Sequence, residues 1–255
     1  MQKTAPCVPP PLPHPPRRWA LFLDVDGTLT PLAPRPGDVV LGAAVIERLS
    51  SLHTAFEDAL AVISGRSIPD LDQLLAPLRL PVAGQHGAER RDAEGGVHHA
   101  DPDAVEALSE AREALARFAA DNPGIELQDK RLTLSLHYRR APHCAQAARR
   151  LLRRLEPSLG RRFVVEEGKQ VLEVRSRGCN KGSAIRAFLQ EAPFGGRRPV
   201  FAGDDLTDED GFRAVNAAGG ISIKIGAGPT HARYRLAQPD DMLAWLDTCL
   251  QQLDG

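Results

Sequence analysis

The feature that most constrains this chain is a repeated order of short apolar runs and helix-like segments. The runs WALFLD, DALAVIS and RPVFAGDD each end in small or polar residues, and an amphipathic segment follows each of them. Compact apolar runs of this kind are typical of parallel strands that are covered on both faces. Strands that alternate with helices imply right-handed crossovers, so the sequence predicts an α/β fold with a doubly wound, Rossmann-like parallel sheet.

Two of the predicted helices begin with pairs of residues at capping-box spacing. Ser67 and Asp70 lie three residues apart at the start of SIPDLDQLL, and Thr207 and Asp210 repeat the spacing in TDEDGFRAV. In such a pair, each side chain accepts a hydrogen bond from a backbone amide that the helix leaves free. Both segments are therefore predicted to start as helices at these positions.

The carboxyl ends of the predicted strands carry the polar residues that are candidates for a site. Ligands of open α/β sheets collect at these strand ends. Three side chains fall there, namely Asp24, Ser64 and Asp204.

The middle of the chain has a different pattern and is predicted to be an inserted domain. Residues 103–120 and 142–155 form Ala/Leu/Arg-rich helices, whereas RLTLSLHYR, RFVVEEGK and QVLEVRS are typical of strands with one polar face. By the period-two rule, one face of a strand presents Leu172 and Val174 and the other presents Lys169, Glu173 and Arg175. We expect helices to cover the apolar face of this small antiparallel or mixed sheet, and a hydrophilic ligand to face the polar one.

These patterns define the expected domain organisation. A core domain would comprise 17–95 and 177–255, and an α/β insertion would occupy 96–176. The first sixteen residues include seven prolines. Because proline interrupts both helices and sheets, we expect a disordered or polyproline-like arm over 1–16.

Composition excludes several classes of partner. The 255 residues carry 32 Lys plus Arg against 33 Asp plus Glu, so the formal net charge of −1 provides no bulk attraction to nucleic acid or anionic membranes. No apolar segment approaches the ~18–20 residues of a membrane span. The four cysteines show neither a CxxC pair nor zinc-finger spacing, which favours free thiols and a cytoplasmic protein.

The sequence DVDGT places Asp24 and Asp26 directly after a predicted strand. An EF-hand calcium loop is excluded, because its twelfth position would be Arg35 instead of glutamate. GAGPTH lacks the final glycine of a dinucleotide-binding fingerprint, and the chain contains neither a P-loop nor HExxH. An Asx-type turn that closes the strand remains a purely structural interpretation of the two aspartates.

DVDGT, SGR, NKG and GDDLTDE occur in this order and together resemble the four signature motifs of the haloacid dehalogenase (HAD) superfamily of phosphohydrolases. The resemblance implies that Asp24 is the nucleophile and that Asp26 protonates the leaving alcohol and then activates water. Ser64 and Lys181 would bind the transferring phosphoryl group. Each motif alone also has a structural explanation, such as a strand end or a charged first helical turn.

The resemblance further implies a Mg²⁺ cofactor. A phosphate dianion that approaches several aspartates needs a cation to offset the repulsion. In this superfamily the cation would be held by Asp24, Asp26 (through its backbone carbonyl) and Asp204. Around it, Asp205 and Asp208 would order metal-bound water or Lys181.

The inserted domain lies between SGR and NKG, where this superfamily places large, lid-like caps that select the leaving group. QHGAERR, LSLHYR, GKQVLEVRSRGCNKG and ISIKIG resemble the trehalose-6-phosphate phosphatase family in particular. The resemblance assigns substrate binding to five residues: Arg66, His137, Arg139, Lys169 and Glu173. A solvated face with Glu/Lys pairing is the alternative for the residues of the sheet. Ser176 and Asn180 depart from a proline and an aspartate that many relatives carry.

Three hypotheses for function follow. The first is hydrolysis of trehalose 6-phosphate, a small-molecule substrate, with an expected functional link to a trehalose-6-phosphate synthase. The second is a phosphatase for another sugar phosphate, since the core chemistry does not depend on the sugar. The third is a non-catalytic sugar-phosphate sensor, although the intact Asp24, Asp26, Lys181 and Asp204 argue against it.

Overall fold

A computed structural model describes residues 9–33, 38–168 and 170–252. The chain divides into two compact units, of which the first comprises 1–98 with 180–255 and the second comprises 99–179. The boundaries expected from the sequence were 95/96 and 176/177.

The strands of the described residues are β1 (Trp19–Leu23), β2 (Leu60–Ile63), β3 (Val82–Gly84), β4 (Glu89–Arg91), β5 (Val97–His99), β6 (Glu126–Asp129), β7 (Leu134–His137), β8 (Phe163–Gly168), β9 (Val171–Ser176), β10 (Arg198–Gly203), β11 (Ile221–Ile225) and β12 (Tyr234–Leu236). The α-helices are α1 (Ala43–Ala55), α2 (Ile68–Leu75), α3 (Ala104–Ala107), α4 (Ser109–Asp121), α5 (Ala145–Leu159), α6 (Lys181–Phe188), α7 (Glu209–Ala217) and α8 (Pro239–Gln251).

The first unit is built on a mostly parallel sheet of order β12-β11-β10-β1-β2-β3-β4-β5. Strands β12 to β3 of this order pair in parallel, and β4 joins β3 in the antiparallel sense. Alternate residues of β1 enter two hydrophobic clusters, with Leu21 and Leu23 in one and Ala20 and Phe22 in the other. Helices α1, α2 and α8 contribute to the first cluster, and α6 and α7 to the second. The predicted doubly wound α/β fold is confirmed, since helices cover both faces of the sheet.

One of the two predicted helix caps is present and the other is wrong. Ser67 and Asp70 form a capping box at the start of α2. The expected pair Thr207 and Asp210 does not cap α7, because Asp205 accepts the Thr207 N–H at 2.7 Å and starts a 3-10 turn over Leu206–Asp208. The competing carboxylate two residues upstream of Thr207 therefore moves the first helical turn toward the strand end.

The second unit contains an antiparallel sheet of order β6-β7-β9-β8. As predicted, Leu172 and Val174 are buried and Glu173 is only half-buried. Helices α4 and α5 bury apolar side chains, among them Leu115 and Leu152. The expected polar face is not exposed to solvent along its whole length, because Ser135, which pairs with Glu173 on this face, is only 4% exposed.

The proline-rich segment packs on the core where it is described. The Trp245 indole N–H donates to the Pro10 carbonyl oxygen at 3.1 Å, and Leu12 packs against the core cluster. Residues 9–16 are therefore not a solvated tail, while residues 1–8 lie outside the described part of the chain. Along the described ranges, each helix is too short or too polar to cross a bilayer. Cys144, Cys179 and Cys249 are buried free thiols.

Candidate active site

The site lies at the carboxyl ends of three adjacent strands. Sheet order places β1 between β10 and β2, so the residues that follow these strands meet at one edge. They are Asp204, Asp24 and Ser64, as the sequence predicted. Asp24 and Ser64 are buried, and Asp204 is partly buried.

Lys181 joins the strand ends to helix α6. It is the first residue of that helix, and Asn180 caps the helix by accepting the Ser183 N–H at 2.8 Å. The Lys181 ammonium lies 2.8 Å from Asp24 Oδ1 and 2.6 Å from Asp208 Oδ1. Asn180, which departs from the family pattern, thus still orders the start of the helix that carries the lysine.

Asp208 organises the backbone of the loop after β10. Its Oδ2 accepts the N–H groups of Asp204 and Asp205, both at 2.9 Å, while its Oδ1 contacts Lys181. A fully buried carboxylate with both oxygens engaged acts as a structural anchor. The expected role of Asp208, which is to order metal-bound water or Lys181, stays a prediction, and the contact with Lys181 is its structural basis.

An acidic cluster in this site fits a divalent cation. One carboxylate oxygen from each of Asp24, Asp204 and Asp208 lies within 4.8 Å of the others. Hard oxygen donors of this type suit Mg²⁺ or a similar ion. Both oxygens of Asp208 and both oxygens of Asp24 already accept hydrogen bonds from protein groups, so Asp204 offers the freest carboxylate of the three. The carboxylate of Asp26 is not part of this cluster.

Gly27 gives the Asp204 carboxylate its place beside the DVDGT turn. Its φ of +79° belongs to the left-handed region, and an added Cβ would lie 2.2 Å from Asp204 Oδ2. Any larger side chain would displace the carboxylate or distort the turn. The glycine after the two aspartates is therefore required by the packing of the acidic cluster.

The electrostatics of the cluster show an excess of buried negative charge. Burial raises the pKa of Asp24 to about 6, although Lys181 opposes the shift. Burial, together with the charges of Asp208 and Asp205, raises the pKa of Asp204 to about 7. Burial alone would lower the pKa of Lys181, but the neighbouring carboxylates outweigh it and raise that pKa. A bound cation would relieve this repulsion and favour the ionised carboxylates.

Asp26, the expected acid and base, is paired with Arg66. The guanidinium donates from Nε to Asp26 Oδ2 at 2.8 Å and from Nη2 to Oδ1 at 2.7 Å. This fork geometry holds the carboxylate in one orientation. Arg66 was expected to bind substrate, and the structure adds the contact with Asp26. The Arg66 N–H also donates to Ser64 Oγ at 3.2 Å, which leaves the Ser64 O–H available to donate.

The predicted sugar-binding residues belong to the second unit. His137 and Glu173 are half-buried on the same face of the sheet, where Ser135 pairs with Glu173 across β7 and β9. Burial lowers the pKa of His137, so its imidazole is neutral at pH 7. Arg139 is exposed and lies after the end of β7. Lys169 falls outside the described residues.

The departure at Ser176 has a clear structural role within the second unit. Its hydroxyl donates to Asp101 Oδ2 at 2.8 Å, and Arg162 Nε donates to the same oxygen at 2.6 Å. Ser176 is buried, so this hydrogen bond ties the end of β9 to the start of the unit.

Sequence reasoning missed two side chains that contact the cluster. The Thr28 hydroxyl donates to Asp24 Oδ2 at 3.1 Å. Lys224 donates from its ammonium to the Asp204 carbonyl oxygen. The available signals were the threonine in DVDGT and a lysine inside the otherwise apolar strand ISIKI.

The comparisons with known proteins agree with this geometry. The sequence pattern of the trehalose-phosphatase family matches residues 22–240. The trehalose-6-phosphate phosphatase of Escherichia coli (strain K12) is 46% identical over 239 residues, which cover 92% of this chain and 89% of that protein.

Two further relatives extend the comparison. A bifunctional trehalose-6-phosphate synthase/phosphatase of Thermoproteus tenax (strain ATCC 35583 / DSM 2078 / JCM 9277 / NBRC 100435 / Kra 1) is 33% identical, and the match covers 86% of this chain but 30% of that protein. A crystal structure described as a trehalose-6-phosphate phosphatase related protein superposes with a TM-score of 0.78 at 27% identity, covering 91% of this chain and 97% of that one.

Proposed function

This chain belongs to the trehalose-phosphatase family, and on that premise we propose that it hydrolyses trehalose 6-phosphate through an aspartyl-phosphate formed on Asp24. The observation that carries the proposal is the buried contact between Asp24 and Lys181 beside the acidic cluster. A pKa of about 6 leaves Asp24 mostly ionised at pH 7, so it needs no separate base to act as a nucleophile.

In the first step, one carboxylate oxygen of Asp24 attacks phosphorus and the bond to the sugar oxygen breaks. Lys181 lies within hydrogen-bonding distance of Asp24 Oδ1, so its charge is placed to stabilise the transferring phosphoryl group. Ser64 retains an O–H that can donate to a phosphoryl oxygen. The products are an acyl phosphate on Asp24 and a departing sugar alkoxide.

Asp26 enters the reaction protonated and gives this proton to the departing sugar oxygen. In the second step it accepts a proton from water while the water oxygen attacks phosphorus, which releases phosphate and regenerates Asp24. Arg66 holds both oxygens of Asp26 in the free protein. Turnover therefore requires at least one oxygen of Asp26 to lose its hydrogen bond with Arg66 and to contact the substrate instead.

The cofactor of this reaction is Mg²⁺, for which the oxygen donors of the acidic cluster are suited. Asp24 and Asp204 would hold it, with the Asp26 backbone carbonyl as the further ligand that the family resemblance implies. When bound, the cation supplies positive charge against the phosphate dianion. Asp208 and Asp205 keep the loop that carries Asp204 in place.

The polar face of the second unit is proposed to select the sugar. Glu173, a neutral His137 and Arg139 offer hydrogen-bonding groups for hydroxyls, and Lys169 extends the same set. The runner-up substrate is another sugar phosphate, since the chemistry of the core residues does not depend on which sugar leaves. A functional link to a trehalose-6-phosphate synthase is supported by the bifunctional relative. The free thiols of Cys144, Cys179 and Cys249 support a reducing compartment, so we place the enzyme in the cytoplasm.

Phosphate release from a panel of sugar phosphates, with Mg²⁺ and after exhaustive EDTA treatment, tests the proposal. We expect trehalose 6-phosphate to give the highest kcat/KM and activity to disappear with EDTA and return with Mg²⁺. A different preferred ester would replace the substrate assignment, and activity that persists without divalent metal would refute the metal role. An absence of turnover on every ester would favour the sensor.

A further inference from the structure

Lys224 is a buried lysine that the reaction above does not use. It lies on β11, where Ile221, Ile223 and Ile225 enter a hydrophobic cluster and Lys224 points to the other face of the sheet. The residue is only 5% exposed. Lysines are almost never buried to this degree without a partner, so its contact calls for an explanation.

The partner of Lys224 is the backbone of a candidate metal ligand. β11 pairs in parallel with β10, and Lys224 lies in register with Gly203, the residue before Asp204. The ammonium donates to the Asp204 carbonyl oxygen. On the other side, the Asp204 N–H donates to Asp208 Oδ2 at 2.9 Å. Both backbone polar groups of Asp204 are thus held by buried charged side chains.

The two buried lysines of the site differ in what they touch. Lys181 contacts the carboxylates of Asp24 and Asp208 directly. Lys224 contacts a peptide carbonyl and leaves the carboxylate of Asp204 free, while Gly27 provides the space for that carboxylate. A second cation near a metal site would by itself repel the metal. The useful contribution of Lys224 is therefore the orientation that its hydrogen bond imposes.

We propose that Lys224 is a positioning residue, which fixes the Asp204 backbone so that its carboxylate faces Asp24 and thereby sets the affinity of the site for its divalent cation. The proposal rests on the assignment of a metal to this cluster and extends the proposed function to a residue outside the four motifs. Residues that orient metal ligands typically change metal affinity by about tenfold to a hundredfold when they are removed.

Isothermal titration of the purified full chain with MgCl₂, in the absence of substrate, measures this effect. Lys224→Met keeps an unbranched side chain that is one atom shorter and removes the donor, and we expect its Kd for Mg²⁺ to rise about tenfold or more. Lys224→Arg keeps a charged donor and should bind Mg²⁺ within about threefold of the unmutated protein. Lys130→Met, in the second unit, is the matched control and should leave the Kd unchanged.

Activity provides a second readout that a purely structural role would not move in the same way. For Lys224→Met, the Mg²⁺ concentration at half-maximal activity should rise with the Kd, while kcat at saturating Mg²⁺ stays within a few-fold. An unchanged Kd would overturn the proposal, because the hydrogen bond from Lys224 would then have no effect on Mg²⁺ binding. A lower Kd would also overturn it, because the main effect of Lys224 would then be charge repulsion of the metal. If Lys224→Met does not fold, Lys224→Gln replaces it in the titration. The shorter glutamine side chain loses the contact with the Asp204 carbonyl, so this variant must also bind Mg²⁺ more weakly.

The titration also separates this proposal from the proposed function. If the protein binds Mg²⁺ and Lys224→Met weakens that binding, the positioning role stands even when another phosphate ester proves to be the substrate. If the unmutated protein binds Mg²⁺ but Lys224→Met binds it equally well, only the role of Lys224 is refuted.

Discussion

The acidic site of the first unit and the polar face of the second place their functional side chains by opposite means. In the parallel sheet, strands β1, β2 and β10 are buried except for Arg198 at the start of β10, so the polar groups of the site follow the carboxyl ends of the strands. In the antiparallel sheet, every second residue of β9 is half-buried along its length. Strand ends concentrate a few groups at one point, whereas a sheet face distributes them over an area.

Because of this difference, a substitution in the acidic site should cost more free energy than a substitution on the polar face. Lys181, Asp24 and Asp208 are each at most 5% exposed, so the loss of one partner leaves an uncompensated buried charge. On the sheet face, Arg175 pairs with Glu166, whose side chain is 45% exposed, and solvent screens that pair strongly. The first arrangement suits bond breaking, for which geometry must be fixed, and the second suits recognition of a polar ligand.

The sharpest test of the comparison is Asp24→Asn. An amide is a poor nucleophile and offers the metal no full negative charge, so turnover should fall by more than about a thousandfold on trehalose 6-phosphate and on p-nitrophenyl phosphate alike. Steady-state phosphate release measures the effect. Asp58→Asn changes a carboxylate that is 68% exposed in the same unit and should retain full activity. Residual turnover above a thousandth of the unmutated rate would argue against the covalent intermediate.

Substitutions on the sheet face should have a smaller and substrate-dependent effect. Glu173→Ala and His137→Ala each remove a group for sugar hydroxyls, so kcat/KM for trehalose 6-phosphate should fall about tenfold to a hundredfold. On p-nitrophenyl phosphate, which has no sugar, both variants should stay within a few-fold of the unmutated enzyme.

Glu167→Ala is the matched control for these variants. Glu166 pairs with Glu173 across β8 and β9, so the adjacent Glu167 lies on the opposite face. It should not discriminate between the two substrates. Equal kinetics for Glu173→Ala, His137→Ala and Glu167→Ala on both esters would mean that the polar face is only solvated.

The smallest expected effect concerns stability of the second unit in acid. A hydrogen bond from Arg162, which outweighs the effect of burial, holds the pKa of Asp101 below its usual value. A lowered folded-state pKa stabilises the protein above the unfolded value of ~3.9, and that stability is lost as the pH falls through the folded-state pKa. Asp101→Asn should therefore lower Tm by about a few degrees at pH 7 and show a weaker Tm decrease between about pH 5 and pH 3.

Differential scanning calorimetry of the two proteins across this pH range measures the difference. Asp103→Asn serves as the control, because Asp103 is 78% exposed and its contact with Arg162 is longer, at 3.3 Å. Parallel Tm curves for the unmutated protein and Asp101→Asn would show that the Asp101 contacts with Arg162 and Ser176 do not stabilise the unit.

Much of this protein follows from local sequence. Apolar runs of strand length that end in small or acidic residues determine β1, β2 and β10. A strand that is covered on both faces consists of apolar residues, and it ends where polar residues reach the edge of the sheet. The Ser67–Asp70 pair determines the start of α2 through hydrogen bonds within a single turn. Asp24, Ser64 and Asp204 were predictable for the same reason, since each directly follows such a strand.

Other contacts were decided only by tertiary structure. Arg66 reaches Asp26 across 40 residues, Lys181 reaches Asp208 across 27, and Lys224 reaches the Asp204 carbonyl across 20. No local pattern specifies these partners, because each depends on which strands lie side by side and how their ends align. A buried charge takes the nearest partner that the assembled sheet supplies.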